Sequence, residues 1–509
     1  MVATKSWLTG VPLRGSYAAA VAMALLALCP FIVLSTASLL LRQPVERDLG
    51  GGRFGTQLAG GLSNAFYAFG AVAAADLIQR VPGRRLFLSC ELAFVAGSLL
   101  AALAPGIEVF IAGRVLQGAA TGMLLVAALP PLVTNHGVEK LPLTAAFVNL
   151  GLFGMVTLGP LIGGVAAGFD AWRALYLGIA GFGAIGLLMG ALTFERSTAP
   201  SPRIGFDYSA IPVAACATIL PFLGVAWLGR GSFTSPGFLV PLLLGTAALG
   251  TLLVRQYRKP RALMPLKLLA HTLPVTGVSI AMVAGAGFTT LVELAVIYLL
   301  EVDHRTPAAT GELLATQIAG VVVAAWLFKS MLTTRWLPVL AFTGTGVVVA
   351  GGALLLWLQP SSSTPVVAVA SVLLGFGAGA GVTPGLFMAG LSVPSTRLGP
   401  TFALVELLRA EAAFLVGPVL VHIAMTSTDL SQGIHLAIWI MLLIVAAGGV
   451  ASLALLLTGG ARPQAPDLPS WLSGDSPAYH SPAPPPPSAT TRQTPGPPPR
   501  PPVDGCSRA

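Results

Sequence analysis

The sequence predicts an all-α polytopic membrane protein with about fourteen transmembrane helices, because charged residues are scarce and apolar residues come in long blocks. Of its 509 residues, 55% are hydrophobic and 9% are charged, whereas soluble domains carry about 25% charged residues. So few charges cannot cover a water-soluble fold. The blocks show neither the alternation of half-buried strands nor the narrow apolar stripe of surface helices, so they indicate helices that are apolar on all sides.

Each predicted helix is a block long enough to cross a bilayer core about 30 Å thick, which takes about 20 apolar residues. In the first half of the chain the blocks are 17–41, 57–79, 84–104, 107–133, 142–168, 173–194 and 209–229. In the second half they are 235–255, 273–300, 309–330, 336–358, 365–391, 399–426 and 434–458. The first block follows Lys5 and Arg14 like a signal peptide, but its length predicts a retained helix.

The composition indicates no nucleic-acid partner, cofactor or enzymatic activity. The net charge is +9, but Lys and Arg are spread between the apolar blocks and form no patch with interleaved aromatic residues. The four cysteines are far apart in the sequence and predict neither a disulfide framework nor a zinc site. The sequence contains no Walker loop, no metal-ligand cluster and no Gly-x-Ser-x-Gly nucleophile turn.

The distribution of Lys and Arg predicts a multi-pass protein of the plasma membrane with both termini in the cytoplasm. With a cytoplasmic N-terminus, 17 Lys and Arg of the loops and termini fall on the cytoplasmic side and 6 on the other. Cytoplasmic loops are enriched in these residues, so the bias supports both the helix count and the direction. The lipid bilayer is therefore a predicted partner, and a monomer is the default oligomeric state.

Two segments outside the blocks have distinct compositions. Residues 255–271 carry a basic cluster and are predicted to lie as a connector against the anionic cytoplasmic leaflet. From Gly459 onward the chain is rich in Pro, Ser and Thr, with proline runs at 484–487 and 497–499. Such a tail cannot bury a core, so it is expected to be disordered, either passive or bound to a partner with a polyproline groove.

Small residues mark one face of the fifth block. The run Gly159-Pro160-Leu161-Ile162-Gly163-Gly164 follows Gly151 and Gly154 and precedes Trp172-Arg173. Glycines at this spacing let another helix approach closely, and Pro160 bends the helix. Ordinary helix packing would use the same residues, but the arrangement, with its Trp-Arg, resembles the fifth-helix antiporter motif of major facilitator superfamily exporters.

An arginine lies inside the fourth block, where Arg114, Gln117 and Gly118 occur in the run Gly-Arg-Val-Leu-Gln-Gly. An arginine in the middle of a membrane helix costs about 2.5 to 3.5 kcal/mol on insertion scales, so it should face protein or water. The run resembles the fourth-helix arginine motif of the same superfamily, which is implicated in proton coupling. The alternative is an arginine that only pairs structurally with a neighbouring helix.

The loop between the second and third blocks resembles the family pattern, Gly-x-x-x-Asp-Arg-x-Gly-Arg-Arg, only in part. Gly83, Arg84 and Arg85 keep its closing Gly-Arg-Arg, but Asp76 stands at the family's glycine and Arg80 at its aspartate. That aspartate usually helps to latch the outward-open state through charge and helix-dipole contacts. The resemblance therefore implies an altered latch, in which Asp76 could substitute from one turn away.

The number of blocks, fourteen, resembles that of the larger branch of drug:proton antiporters, and the resemblance covers residues 15–458. The resemblance implies the major facilitator fold, with two six-helix bundles that rock about a central cavity in alternating access. The expected regions are an N-terminal bundle at 1–200, two inserted linker helices at 201–258, a C-terminal bundle at 259–459 and the tail at 460–509. One departure is that this branch commonly has an aspartate in helix one, whereas residues 29–35 contain no acid.

The proton carrier, if there is one, must therefore lie elsewhere. Coupling needs a carboxyl group whose charge can change through burial and a movable partner. Glu293, in the middle of the ninth block, is the first candidate, and the alternative is an acid hydrogen-bonded to a neighbour. Glu406 and Arg409, three residues apart, share a helix face and are expected to pair. That pairing leaves Glu411 as the freer candidate, with Arg114 in the other half.

Three functions remain open from the sequence. The favoured one is proton-coupled export of a small lipophilic or cationic molecule. The missing acid in helix one and the altered loop indicate the alternative of uncoupled or inward transport of a metabolite. A third reading is a non-transporting membrane sensor or scaffold whose Pro-rich tail recruits a partner.

Overall fold

The computed structural model describes residues 13–194, 210–259, 262–461, 464–474 and 476–482, and all regular secondary structure in these ranges is helical. The fourteen long helices are α1 (Tyr17–Leu49), α2 (Gly52–Arg80), α3 (Gly83–Ala102), α4 (Ile107–Thr134), α5 (Leu141–Gly168), α6 (Trp172–Thr193), α7 (Ala210–Trp227), α8 (Pro236–Arg258), α9 (Thr272–Ile297), α10 (Pro307–Met331, interrupted at 315–316), α11 (Leu337–Leu355), α12 (Ser363–Leu391), α13 (Leu398–Met425) and α14 (Leu430–Thr458). Thirteen of them are long and apolar enough to cross a membrane. The other, α13, carries Glu406, Arg409 and Glu411 along 28 residues. The predicted all-α membrane fold is confirmed.

Helix α1 extends to Leu49, eight residues beyond the predicted end at residue 41. Its last turns are polar, and Arg42 lies 3.8 Å from Glu46 one turn on. The chain then reverses through glycines 50, 51 and 52, whose φ angles are 70°, 80° and 58°. Glycine adopts these angles without steric cost, so α2 can begin directly after α1.

The helices form two groups of six with a hairpin beside them. In the group α1–α6, α2 packs on α4, α1 on α5 and α3 on α6. In the group α9–α14, α12 packs on α9, α10 and α11, and α9 packs on α13 and α14. The groups meet where α2 packs on α13 and α5 packs on α10. The hairpin α7–α8 inserts its first helix against α2.

One end of the molecule is closed by apolar packing between the two groups. We call the end at which α1 begins the terminal face, and the end at which α1 finishes the opposite face. One buried apolar cluster at the terminal face joins Leu132 and Val133 of α4 to Leu391 of α12 and to Leu398 and Phe402 of α13. Close packing of this kind leaves no passage between the groups there.

The connector before α9 is folded where the structure describes it. The side-chain oxygen of Gln256 accepts the backbone N–H of Leu263 at 2.8 Å, and a short helix, Leu266–Leu269, precedes α9. Residues 260–261 lie outside the described residues. The position of the connector against a leaflet stays a prediction.

The C-terminal segment, which we define as residues 464–474 and 476–482, packs on the terminal face, and here the structure differs from the predicted disorder of 460–509. It contains the short helix Leu468–Leu472, which also contacts the turn Val138–Lys140 before α5. Trp471 is fully buried. A segment that cannot form a core of its own can still dock on an existing surface when a few buried groups offset its ordering entropy. The proline runs at 484–487 and 497–499 lie outside the described residues.

Candidate substrate cavity and coupling residues

A cavity of about 250 Å³ lies between the two helix groups, on the side of the opposite face. Its walls come mainly from the second halves of α1, α9 and α13 and from the first half of α2. Most of its lining is apolar and includes the aromatic residues Phe110, Tyr176, Phe222, Phe288 and Phe414. An apolar concavity with a few convergent polar groups is the usual form of a small-molecule site.

An ion pair joins the two groups at the cavity wall. Arg42 at the end of α1 lies 3.4 Å from Glu301, in the π-helical turn Tyr298–Val302 after α9. Both side chains line the cavity and are partly exposed. Sequence reasoning missed this pair, since each residue lies at the edge of an apolar block and nothing in the sequence indicates which block ends meet.

The structure places Glu293, the first predicted coupling candidate, in the cavity wall. The facing position on α13 is Gly417, where an added Cβ would lie 2.7 Å from a carboxylate oxygen of Glu293. The glycine therefore leaves room for this carboxylate. A carboxylate in an apolar cavity can bind a proton or a cationic ligand, because either one removes its unpaired charge.

Arg114 also lines the cavity, from the side of the first group. Its guanidinium donates to the side-chain oxygen of Gln117 at 2.8 Å, and the Gln117 amide donates to the Ser98 hydroxyl at 2.8 Å. The guanidinium carbon lies 5.6 Å from the ring centroid of Phe31 and 5.9 Å from that of Tyr176. Within the described residues, no carboxylate lies in ion-pair distance of Arg114, so polar and aromatic groups hold its charge.

The three charged residues of α13 separate as their spacing predicts. Arg409 donates to one carboxylate oxygen of Glu406 at 2.5 and 2.9 Å, and the Tyr67 hydroxyl of α2 donates to the same oxygen at 3.3 Å. This pair therefore also links the two helix groups. Glu411 is buried away from it, and one of its carboxylate oxygens has no hydrogen-bond partner in the described structure.

The glycine motif of α5 lies where this helix contacts α1 of its own group and α10 of the other group. An added Cβ on Gly159 would lie 1.9 Å from the Thr36 hydroxyl oxygen of α1, and one on Gly163 would lie 2.6 Å from the Ala37 carbonyl oxygen. On the other side, a Cβ on Gly164 would lie 2.3 Å from the Pro307 carbonyl oxygen of α10. Pro160 lines the cavity. The motif thus lets α5 contact α1 and α10 backbone to backbone beside the cavity.

Gly118 allows α4 to pack closely against α2. An added Cβ there would lie 2.0 Å from the carbonyl oxygen of Ser63. The preceding residue, Gln117, accepts a hydrogen bond from Arg114, which lies one turn earlier in α4. The Arg114, Gln117 and Gly118 motif therefore combines a buried cation with a close helix contact on adjacent faces of α4.

The loop motif between α2 and α3 forms local contacts at the terminal face. Arg80 donates to both carboxylate oxygens of Asp76, at 2.6 and 2.7 Å, within α2. Arg84 donates to the carbonyl oxygen of Phe194 at 3.0 Å, at the end of α6, while Arg85 is exposed. Gly83 packs near the ring of Phe194. The Asp76 carboxylate is thus paired on its own helix, and a latch role for it stays a prediction.

No cluster of three or more His, Cys, Asp or Glu side chains that could hold a metal ion occurs in the described part of the chain. The polar groups that line the cavity are carboxylates, guanidinium groups, hydroxyls and amides.

Comparison with known proteins gives a family match over most of the chain. A family model described as Major Facilitator Superfamily matches residues 23–405. A multidrug resistance protein B homolog of Mycobacterium tuberculosis is 26% identical over 310 residues, which are 60% of this chain and 57% of that protein. The drug efflux pump JefA of Mycobacterium tuberculosis is 26% identical over 336 residues, 65% of each chain. The chain therefore spans little more than half of the first of these relatives.

A further relative and two solved structures match a larger share of this chain. The uncharacterized MFS-type transporter YubD of Bacillus subtilis is 26% identical over 411 residues, 76% of each chain. A peptide transporter POT in complex with sulfate gives a TM-score of 0.60 at 17% identity, over 88% of this chain and 96% of that one. The human organic anion transporter MFSD10 (TETRAN) gives a TM-score of 0.56 at 15% identity, over 86% and 100%. At such identities these structures show a common fold alone.

Proposed function

Because the chain belongs to the Major Facilitator Superfamily, whose model matches residues 23–405, we propose that it is a secondary active transporter that exports small lipophilic or cationic compounds in exchange for protons. The observation that carries this proposal is the Glu293 carboxylate in the wall of an otherwise largely apolar cavity between the two helix groups. The relatives include a drug efflux pump and a multidrug resistance homolog, which also supports export as the direction of transport.

The mechanism follows from competition at one carboxylate. A cationic compound and a proton each neutralise Glu293, and both cannot do so together. When the cavity faces one side, proton binding releases the compound; when it faces the other, proton loss allows the next compound to bind. Alternation requires the apolar closure at the terminal face to open as the cavity closes at the opposite face, so that the two helix groups rock about the α5 contacts.

The proposed orientation places the terminal face in the cytoplasm, so that the described state is open outward. A single cysteine at Ser473, in a chain whose native cysteines are replaced, tests this placement. A membrane-impermeant maleimide should label it in inside-out vesicles and leave it unlabelled in intact cells. Labelling in intact cells would reverse the orientation.

Reconstitution into proteoliposomes tests the function. Ethidium movement should follow an imposed pH gradient in the wild type, and Glu293→Gln should lose the gradient-driven component, because an amide cannot exchange a proton. Glu312→Gln, at an exposed position of α10, is the matched control and should behave as wild type. Wild-type transport that ignores the pH gradient, or Glu293→Gln that still follows it, would reject proton coupling at this residue.

One observation favours the alternative of uncoupled or inward transport of a metabolite. Arg42 and Arg114 both line the cavity, while residues 29–35 of α1 carry no acid. Arg114, which has no carboxylate partner in the described structure, suits an anionic metabolite better than a cation. Substrate accumulation in whole cells discriminates, since an exporter lowers the internal concentration and an importer raises it.

A further inference from the structure

Helix α7 lies at the junction between α2 of the first group and α13 of the second. Near the middle of the molecule α2 and α13 bond directly, through Tyr67 and Glu406. Towards the opposite face, residues 56–64 of α2 and 413–421 of α13 line the cavity instead. Helix α7 packs against both of these helices. It therefore covers the gap between them that would otherwise connect the cavity with lipid.

Helix α7 is itself part of the cavity wall. Phe222, Val225 and Ala226 of α7 line the cavity together with Phe414 of α13. The ring of Phe222 is almost fully buried and lies beside Gly61 of α2. Helix α8 covers the side of α7 that faces away from the cavity. Half of the apolar stretch of α7 is buried, whereas only 17% of the apolar stretch of α8 is buried. Thus α8 has the lipid-facing position, and α7 lies between α8 and the cavity.

The hairpin is anchored to both groups near the opposite face. On the side of α2, the ring of Trp227 lies 6.0 Å from that of Phe54, and the Arg230 guanidinium carbon lies 3.3 Å from the centroid of Phe54. On the side of α13, Phe233 lies 4.8 Å from His422, ring to ring. Contacts on both sides fix the position of α7 relative to the cavity, which a loosely attached helix pair would not achieve.

We infer that α7 is a substrate-contacting wall and that Phe222 sets the size and aromatic character of the molecules the cavity accepts. This inference rests on the proposed function, since it takes the cavity as the substrate site. Phe222 of α7 and Phe414 of α13 place two aromatic rings in the cavity lining. Planar aromatic molecules gain by stacking on such surface, and a larger ring at residue 222 keeps that stacking surface but leaves less room for molecules that are not planar. The substrate class is therefore planar aromatic compounds small enough to fit between α7, α9 and α13.

Binding measurements on the purified full chain in nanodiscs test the assignment. The probes are ethidium, which is planar, and tetraphenylphosphonium, which is bulkier. Phe222→Ala should bind ethidium about three- to tenfold more weakly, as expected for loss of one aromatic contact. Phe222→Trp should retain ethidium and bind tetraphenylphosphonium more weakly. Leu244→Ala, on α8 where the side chain is 57% exposed, is the control and should bind both probes as wild type.

A second measurement needs no substrate. A spin label at Asn64→Cys, in the cavity wall of a chain without native cysteines, reports access of oxygen from the bilayer. Phe222→Ala should increase this access, because the gap between α2 and α13 loses its covering ring, and Leu244→Ala should not. If neither probe binds the wild type, the proposed substrate class is wrong. The oxygen-access measurement alone then decides whether α7 forms part of the cavity wall. Unchanged binding and unchanged access in Phe222→Ala would overturn the assignment while leaving the proposed function standing.

Discussion

Gly159 of α5 faces Thr36 of α1 so closely that an added Cβ would lie 1.9 Å from the threonine hydroxyl oxygen. It would also lie 2.8 Å from the backbone carbonyl oxygen of Val33, which cannot rotate away. Gly159→Ala should therefore push α5 off α1 and destabilise the protein by about 1 to 3 kcal/mol or more. Transport and the midpoint of thermal unfolding in detergent should both fall.

Gly154 provides the matched control on the same helix. Its nearest neighbour to an added Cβ is a side-chain carbon of Ile318 at 3.5 Å, an ordinary contact. Gly154→Ala should keep transport and be neutral or slightly stabilising, because alanine favours helix by about 1 kcal/mol over glycine. Equal losses in both variants would mean that helix flexibility, rather than close approach, explains the motif.

Gln117 holds the buried charge of Arg114 and passes the hydrogen bond on to Ser98. Gln117→Leu removes the only hydrogen-bond acceptor that the described structure gives this guanidinium, so it should cost about 1.5 to 3 kcal/mol of stability. Gln117→Glu keeps an acceptor and should retain more stability than Gln117→Leu. Thermal unfolding of the two variants checks this order, and the reverse order would show that Arg114 relies on its aromatic neighbours instead.

The Glu406–Arg409 pair should behave as a structural element. Glu406→Gln leaves a buried guanidinium without its counter-ion, which should destabilise the protein by about 3 to 5 kcal/mol. Adding Arg409→Met removes the stranded charge and should restore part of the thermal stability. Glu411→Gln is the control on the same helix, since it breaks no ion pair, and should unfold near the wild-type temperature. A stable Glu406→Gln variant that loses only pH-driven transport would instead assign Glu406 to coupling.

The fold could be predicted from the sequence because its main signal is the length of apolar blocks, which depends only on the thickness of the bilayer. The pairing of Glu406 with Arg409 could also be predicted, since both lie on one helix. The Arg42–Glu301 pair could not, because its partners are 259 residues apart and the sequence does not show which helix ends meet. The place of Phe222 in the cavity wall likewise depends on where the hairpin α7–α8 packs.

The docking of the C-terminal segment could not be predicted from the sequence for another reason. The composition of this segment is that of a disordered tail, and its docking depends on only a few residues. Trp471 is the most important, as its fully buried indole donates to the Val393 carbonyl oxygen at 2.8 Å. Removing a buried tryptophan side chain typically costs about 3 to 5 kcal/mol, which is large for so short a segment. Trp471→Ala should therefore detach the segment, whereas the helices beneath it stay folded.

Hydrogen exchange can measure this detachment directly. The backbone N–H groups of Ala478 and Tyr479 donate to the Leu391 carbonyl oxygen, at 2.8 and 3.3 Å, and should be protected in the wild type. They should exchange freely in Trp471→Ala and partly in Trp471→Phe, which keeps an apolar ring but loses the donor to Val393. Ser473→Ala, at the surface of the same segment, should leave the protection intact. If protection survives in Trp471→Ala, the bonds from Thr272 and Leu273 of α9 to residues 481–482 are enough to hold the segment, and its attachment does not depend on the indole.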